Sequence, residues 1–153
     1  LPLPLPAALP ISSNPIYITE CGSCHMAFSP GLLPSRSWKK VMSDLENHFG
    51  DDAELELDTN RTISEYLTNN SADKSSYRRS RKISSSINEK DVPLRITDTP
   101  YFRHEHDEIP GRMVKGNKDV NSFSNCNACH RGAEQGMIDE DGISIQGFGR
   151  WED

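Results

Sequence analysis

The chain has 153 residues, one domain's worth, yet only 34% of them are hydrophobic and mean hydropathy is −0.68, lean for a self-sufficient core. A formal charge of −6 and a pI near 5.3 argue against nucleic acid as a partner. No apolar run reaches the length of about 18 residues that a transmembrane helix needs, so no spanning segment is expected.

Leu1-Pro2-Leu3-Pro4-Leu5-Pro6 alternates proline and predicts an extended N-terminal arm over residues 1–15. The arm has neither a basic n-region nor a continuous apolar run, so any export signal is expected to have been removed already. The pentapeptide Cys21-Gly22-Ser23-Cys24-His25 follows, and Cys126-Asn127-Ala128-Cys129-His130 repeats its pattern near the other end. Together they use all four cysteines. In a C-x-x-C-H motif the two thiols add to haem vinyl groups and the imidazole reaches the iron as proximal ligand. Two covalently bound c-type haems are therefore expected, on Cys21, Cys24 and His25 and on Cys126, Cys129 and His130. A zinc site fits poorly, because its Cys pairs usually lie roughly 15 to 20 residues apart, whereas 101 residues separate Cys24 from Cys126. A thioredoxin-like redox pair needs one such motif and has no use for a histidine after both. Two porphyrins would also repair the lean core, so the apoprotein is expected to be largely disordered.

Residues 16–68 form the expected first haem lobe. Within it Ser37 can cap and Gly50 can end a helix whose apolar stripe is Trp38, Val41, Met42, Leu45 and Phe49. His48 falls on the same stripe near the last turn. If the stripe buries the first haem, His48 is its distal ligand, with Trp38 and Phe49 packing on the ring. The alternative is a histidine that merely favours a helix C-terminus. Met42 shares the stripe and is a rival ligand, although methionine on such a helix is most often packing. Met26 lies too close to His25 to cross a porphyrin.

Residues 69–91 are rich in serine, asparagine and basic side chains and read as a polar linker or long surface loop with room for one short helix. Lys74, Arg78, Arg79, Arg81 and Lys82 form a basic run, against an acidic run of Asp51, Asp52, Glu54, Glu56 and Asp58. Such a dipole could steer a redox partner, or both runs could simply be solvated.

Residues 92–153 form the expected second lobe. Thr99 caps and Pro100 opens a helix that ends before Pro110-Gly111. Phe102, His106 and Ile109 share one face, while His104 lies about 160° away from His106. The apolar company favours His106 as distal ligand of the second haem, with Phe102 as a packing residue. Glu105 or Asp107 could orient the imidazole. The fold class expected is mainly α, two small haem-binding lobes of short helices and long loops with little β.

The strings Glu20 to Phe28, Leu32-Leu33-Pro34, Ser37-Trp38, His48-Phe49-Gly50, Arg95 to Phe102, His106 and Ser122 to His130 resemble the small bacterial dihaem cytochrome c family over residues 17–136. His104, the Leu-Pro start and Gly147-Phe148-Gly149-Arg150-Trp151 lie outside the family pattern. The resemblance implies a periplasmic electron carrier with two low-potential bis-histidine haems, His25 and His130 proximal, His48 and His106 distal. It also implies a redox partner, an oxygen-binding monohaem cytochrome or a membrane b-type cytochrome. A monomer is expected, and not an enzyme. The competing expectation is a haem enzyme or gas sensor with one five-coordinate iron, against which stand five histidines for four positions.

Overall fold

A computed structural model describes residues 9, 10, 12–138 and 143–151; the proline-alternating start, residues 1–6, lies outside them. The chain is mainly helical, as expected. Among the described residues five α-helices, α1 (Pro15–Gly22), α2 (Ser35–Ser43), α3 (Leu57–Asn69), α4 (Arg78–Ser86) and α5 (Pro100–His106), precede a two-stranded hairpin of β1 (Ser144–Ile145) and β2 (Gly149–Arg150).

The first apolar cluster lies among α1, α2 and α3. Tyr17, Leu33, Trp38, Met42, Leu45, Ile63 and Leu67 are buried together, and Cys21 and Ala27 pack against them. Trp38 donates its indole N–H to the Pro30 carbonyl at 2.8 Å, so a large apolar ring is buried without orphaning its one polar atom. Asn14 starts α1 by accepting the amides of Ile16 and Tyr17.

The sequence predicts one helix over 37–50, and the structure divides that stretch. α2 begins two residues before Ser37, with Pro34 in the capping position, and it stops at Ser43. The cap that Pro34 cannot supply comes from a distant side chain: the Asp73 carboxylate accepts the Ser35 amide at 2.8 Å. Hydrogen bonds from the Ser71 hydroxyl and the Ser35 amide hold the Asp73 carboxyl below its ordinary value, although partial burial pushes the other way. Beyond α2, Asp44 leaves helical geometry, Leu45–Asn47 makes one tight turn, and His48 pairs with Asp51 in a short antiparallel bridge. Phe49 and Gly50 form the tip of that bridge, both at positive φ, 54° and 96°. This is the backbone hand that a two-residue hairpin favours, and Gly50 adopts it without cost.

Residues 69–91 carry α4, which packs against α5 and the turn Pro30–Leu32. Its polar sequence hides two inward residues, Ser80 and Ile83, and Ile87 follows them into a second cluster with Leu9, Leu32 and Ala72. Close packing here is visible at Gly31, where any Cβ would collide with Ser80 Oγ and Pro10. The basic run is therefore helical, with Arg78, Arg81 and Lys82 exposed.

After α5 the chain is mostly turns. Val114, Val120 and Ile145 form a third cluster, against which Phe123 and Cys129 pack. The hairpin pairs Ser144 with Arg150 and Ile145 with Gly149, and Gly147 at its tip has φ 84°. Asn117 stitches loop to hairpin by donating Nδ2–H to the Gln146 carbonyl at 2.6 Å.

Candidate functional site

The two C-x-x-C-H motifs occupy different local settings. Cys21 lies in the last turn of α1, with Ser23 at its C-cap and Cys24 and His25 in the turn beyond. Cys126–Ala128 is a single tight helical turn, with the Cys129 and His130 amides both directed at the Cys126 carbonyl. Burial pushes the thiol of Cys21 up to about 11, assisted by the charges of Glu20 and Cys24, and burial pushes Cys126 to about 11 as well. At both positions the buried setting disfavours a free thiolate. Among the described residues no three His, Cys, Asp or Glu side chains gather as a metal-binding group, so the four cysteines do not converge on a zinc-like site.

Four of the five histidines stand in two pairs. His25 and His48 have ring centroids 6.2 Å apart, with planes inclined at 30°. His106 and His130 are also 6.2 Å apart, with planes at 75°. A metal held between two imidazoles at about 2.0 Å from each nitrogen, with roughly 1.1 Å from nitrogen to ring centre, separates the centroids by about 6.2 Å. The centroid spacing of both pairs matches that value. His104 is exposed on the other side of α5.

Each pair is oriented by its surroundings. His25 donates its Nδ1–H to the Met26 carbonyl at 2.7 Å, and His106 donates its Nδ1–H to the Phe102 carbonyl at 2.7 Å, which leaves Nε2 as the free lone pair in both. The Nδ1 partner of His106 is therefore a backbone carbonyl, and neither Glu105 nor Asp107 takes that place. Burial, then the nearby charges of His25 and Arg95, lowers the proton affinity of His48 against the opposing pull of Asp51. Burial does the same for His106, opposed by the Phe102 carbonyl and Glu105. A neutral imidazole is the form that binds a metal.

Aromatic side chains frame both pairs. Phe49 lies 4.8 Å from His48, with the Arg95 guanidinium 4.3 Å above the Phe49 ring. Phe102 stacks on His106 at 3.8 Å and 14°. Trp38 sits in the first apolar cluster, to which Cys21 also belongs. Sequence reasoning assigned no part to Phe28, which stacks on His25 at 5.0 Å, or to Phe123, which meets His106 edge-on at 5.9 Å. Their signal was only proximity to a motif, three residues from His25 and from Cys126.

An apolar cleft, partly open to solvent, is lined by Cys126, Cys129, His130, His106 and Phe102. Its far wall comes from α4 and from the N-terminal half, through Ile83, Leu9, Met26 and Leu32. Its lining, apolar side chains with two thiols and a pair of imidazoles among them, suits a porphyrin.

A small helical chain with two such thiol pairs and two imidazole pairs is a c-type cytochrome carrying two haems. The sequence profile described as Dihaem cytochrome c matches residues 17–138, and the chain belongs to that family. Its fold is similar to the X-ray structure of a dihaem cytochrome c from Shewanella baltica OS155, with 43% identity, TM-score 0.76, and 91% of this chain and 98% of that one covered. It is likewise similar to a dihaem cytochrome c from Rhodobacter sphaeroides, at 43% identity and TM-score 0.73 over 83% of this chain and 98% of that one. No curated protein sequence matches the chain. The two haems are covalently attached through the cysteines of the motifs.

Proposed function

We propose that the protein is a low-potential electron carrier in which both irons have two histidine ligands, His25 with His48 and His130 with His106. The observation that carries this reading is the equal 6.2 Å spacing of the two ring pairs, each built from a motif histidine and one supplied by a remote element. When bound, each haem iron takes up and releases one electron. The chain's own contribution is to hold four imidazoles in fixed orientation, so that neither iron has a vacant position for substrate and its ligands stay in place as its charge changes. Bis-histidine ligation favours lower potentials than methionine ligation, and Met42, the rival ligand, is buried against α2 and α3 neighbours.

The reading divides the chain into an extended arm (1–15), a first haem lobe (16–68), a polar connection (69–91) and a second haem lobe (92–153). It places the protein in the periplasm as a monomer, since haem attachment of this kind is finished outside the cytoplasmic membrane in bacteria. No helix among the described residues is long and apolar enough to cross a membrane. The partner is another redox protein, an oxygen-binding monohaem cytochrome or a membrane b-type cytochrome, as the family resemblance implies.

Carbon monoxide tests the coordination. The reduced holoprotein is expected to keep its spectrum under carbon monoxide at neutral pH. Rapid stoichiometric binding would overturn the six-coordinate reading and favour a gas-binding or enzymatic haem.

A further inference from the structure

Met26 takes part in both haem sites. Its carbonyl accepts the Nδ1–H of His25 at 2.7 Å, inside the first site. Met26 is also among the residues that line the apolar cleft of the second site, with Cys126, Cys129 and His130. The next residues repeat the arrangement: Phe28 stacks on His25 at 5.0 Å and packs against the cluster of Leu32 and Ile83 that backs the same cleft.

This segment is pinned. The Tyr17 hydroxyl donates to the Phe28 carbonyl at 2.7 Å, and the Ser12 hydroxyl reaches the Ala27 carbonyl at 3.0 Å. A shared wall held this way keeps its distance to both sites constant. Electron tunnelling falls off faster across a gap than across bonded, hydrogen-bonded or packed atoms, so a continuous chain of atoms between two centres sets the rate between them.

We propose that Met26 is the coupling residue through which electrons pass between the two haems, from the His25 imidazole through the Nδ1–H to carbonyl bond and out along the thioether side chain into the second cleft. The inference rests on the bis-histidine electron-carrier reading. The step moves one electron: the first iron goes from ferrous to ferric and the second from ferric to ferrous, with no proton or bond changing place. Met26 lies too near His25 in sequence to serve as a ligand across the porphyrin, and the geometry gives it this other role.

The test is the interhaem exchange rate in half-reduced holoprotein, read from magnetisation exchange between haem methyl signals in proton NMR. Met26→Ala removes the side-chain half of the path and leaves the carbonyl, so exchange is expected to slow severalfold. Met26→Leu, which refills the cleft, is expected to restore most of the rate. If Met26→Ala does not fold, Met26→Val withdraws the far end of the side chain and carries the same expectation of slower exchange. An unchanged rate in Met26→Ala or Met26→Val, or a loss that Met26→Leu does not recover, would overturn the proposal. Carbon monoxide binding by the unsubstituted protein would instead sink the ligation reading, so the two failures are told apart.

Discussion

His106 stacks on Phe102 one turn earlier in α5, ring centroids 3.8 Å apart and planes 14° from parallel, and donates to the carbonyl of that same residue. One residue thus orients the imidazole twice, by its ring and by its backbone. His104, two residues away, faces solvent. His106→Ala is therefore expected to convert one of the two haems to a high-spin, carbon monoxide-binding form, while His104→Ala leaves the visible spectrum unchanged. High-spin character in the His104 variant alone would reverse the assignment.

The two imidazole pairs differ in mutual angle, 30° at His25 and His48 against 75° at His106 and His130. The angle between axial ring planes sets how far the iron d-orbitals are split in a low-spin ferric haem. Frozen oxidised protein should give two resolved low-spin electron paramagnetic resonance signals, the more anisotropic one from the second site. His106→Ala should remove that one and spare the other. A single signal of doubled intensity would show the pairs to be alike.

Trp38→Phe keeps most of the apolar volume of the first cluster but leaves the Pro30 carbonyl without its indole donor. The expected cost is about 1–3 kcal/mol, the price of an unpaired buried acceptor. Trp38→Ala adds a cavity and should cost about 3–5 kcal/mol. Thermal or denaturant unfolding of the holoprotein measures both.

Asp73 caps α2 from a distance, and its carboxyl sits below the ordinary value of 3.8 in the folded protein. A folded-state value below the unfolded one means that the stability it supplies is present above about pH 4 and is lost as pH falls through the lowered value. Asp73→Ala should lower the melting temperature at neutral pH, and the gap between variant and wild type should narrow below about pH 4. A gap that stays constant into acid would remove the carboxylate's charge from the explanation.

Much of the site could be read from local chemistry. The motif cysteines and histidines needed only spacing, and α5 announced itself through Thr99, which accepts the Phe102 amide, and through Pro100. The helical reason for bringing His48 to the first site does not hold. The apolar stripe runs through Phe49, but the helix stops at Ser43 and a hairpin turn at Phe49 and Gly50 presents the imidazole instead. Two signals competed there, amphipathic period and turn chemistry, and glycine at the tip decided in favour of the turn. Ser37 could cap a helix by type, yet it is buried inside the first turn of α2, whose Ser35 amide is served by Asp73 from far along the chain. The inward residues of α4 were masked by a sequence dominated by serine and arginine, whose burial only the packing of Leu32 and Gly31 against them explains. Long-range partners of this kind leave no trace in a local pattern.

The Leu9 amide donates to the Gly136 carbonyl at 3.1 Å, and the Leu9 side chain lines the second cleft. The pocket for the second haem is thus walled by residues from near both ends of the described chain, a contact of very long sequence separation. It can close only after the segment bearing Cys126 and Cys129 has been made and has come back to meet Leu9. The first site draws Cys21, Cys24, His25 and His48 from one stretch of the chain, whereas the second is finished by a contact of the long-separation kind that costs the most chain entropy to form.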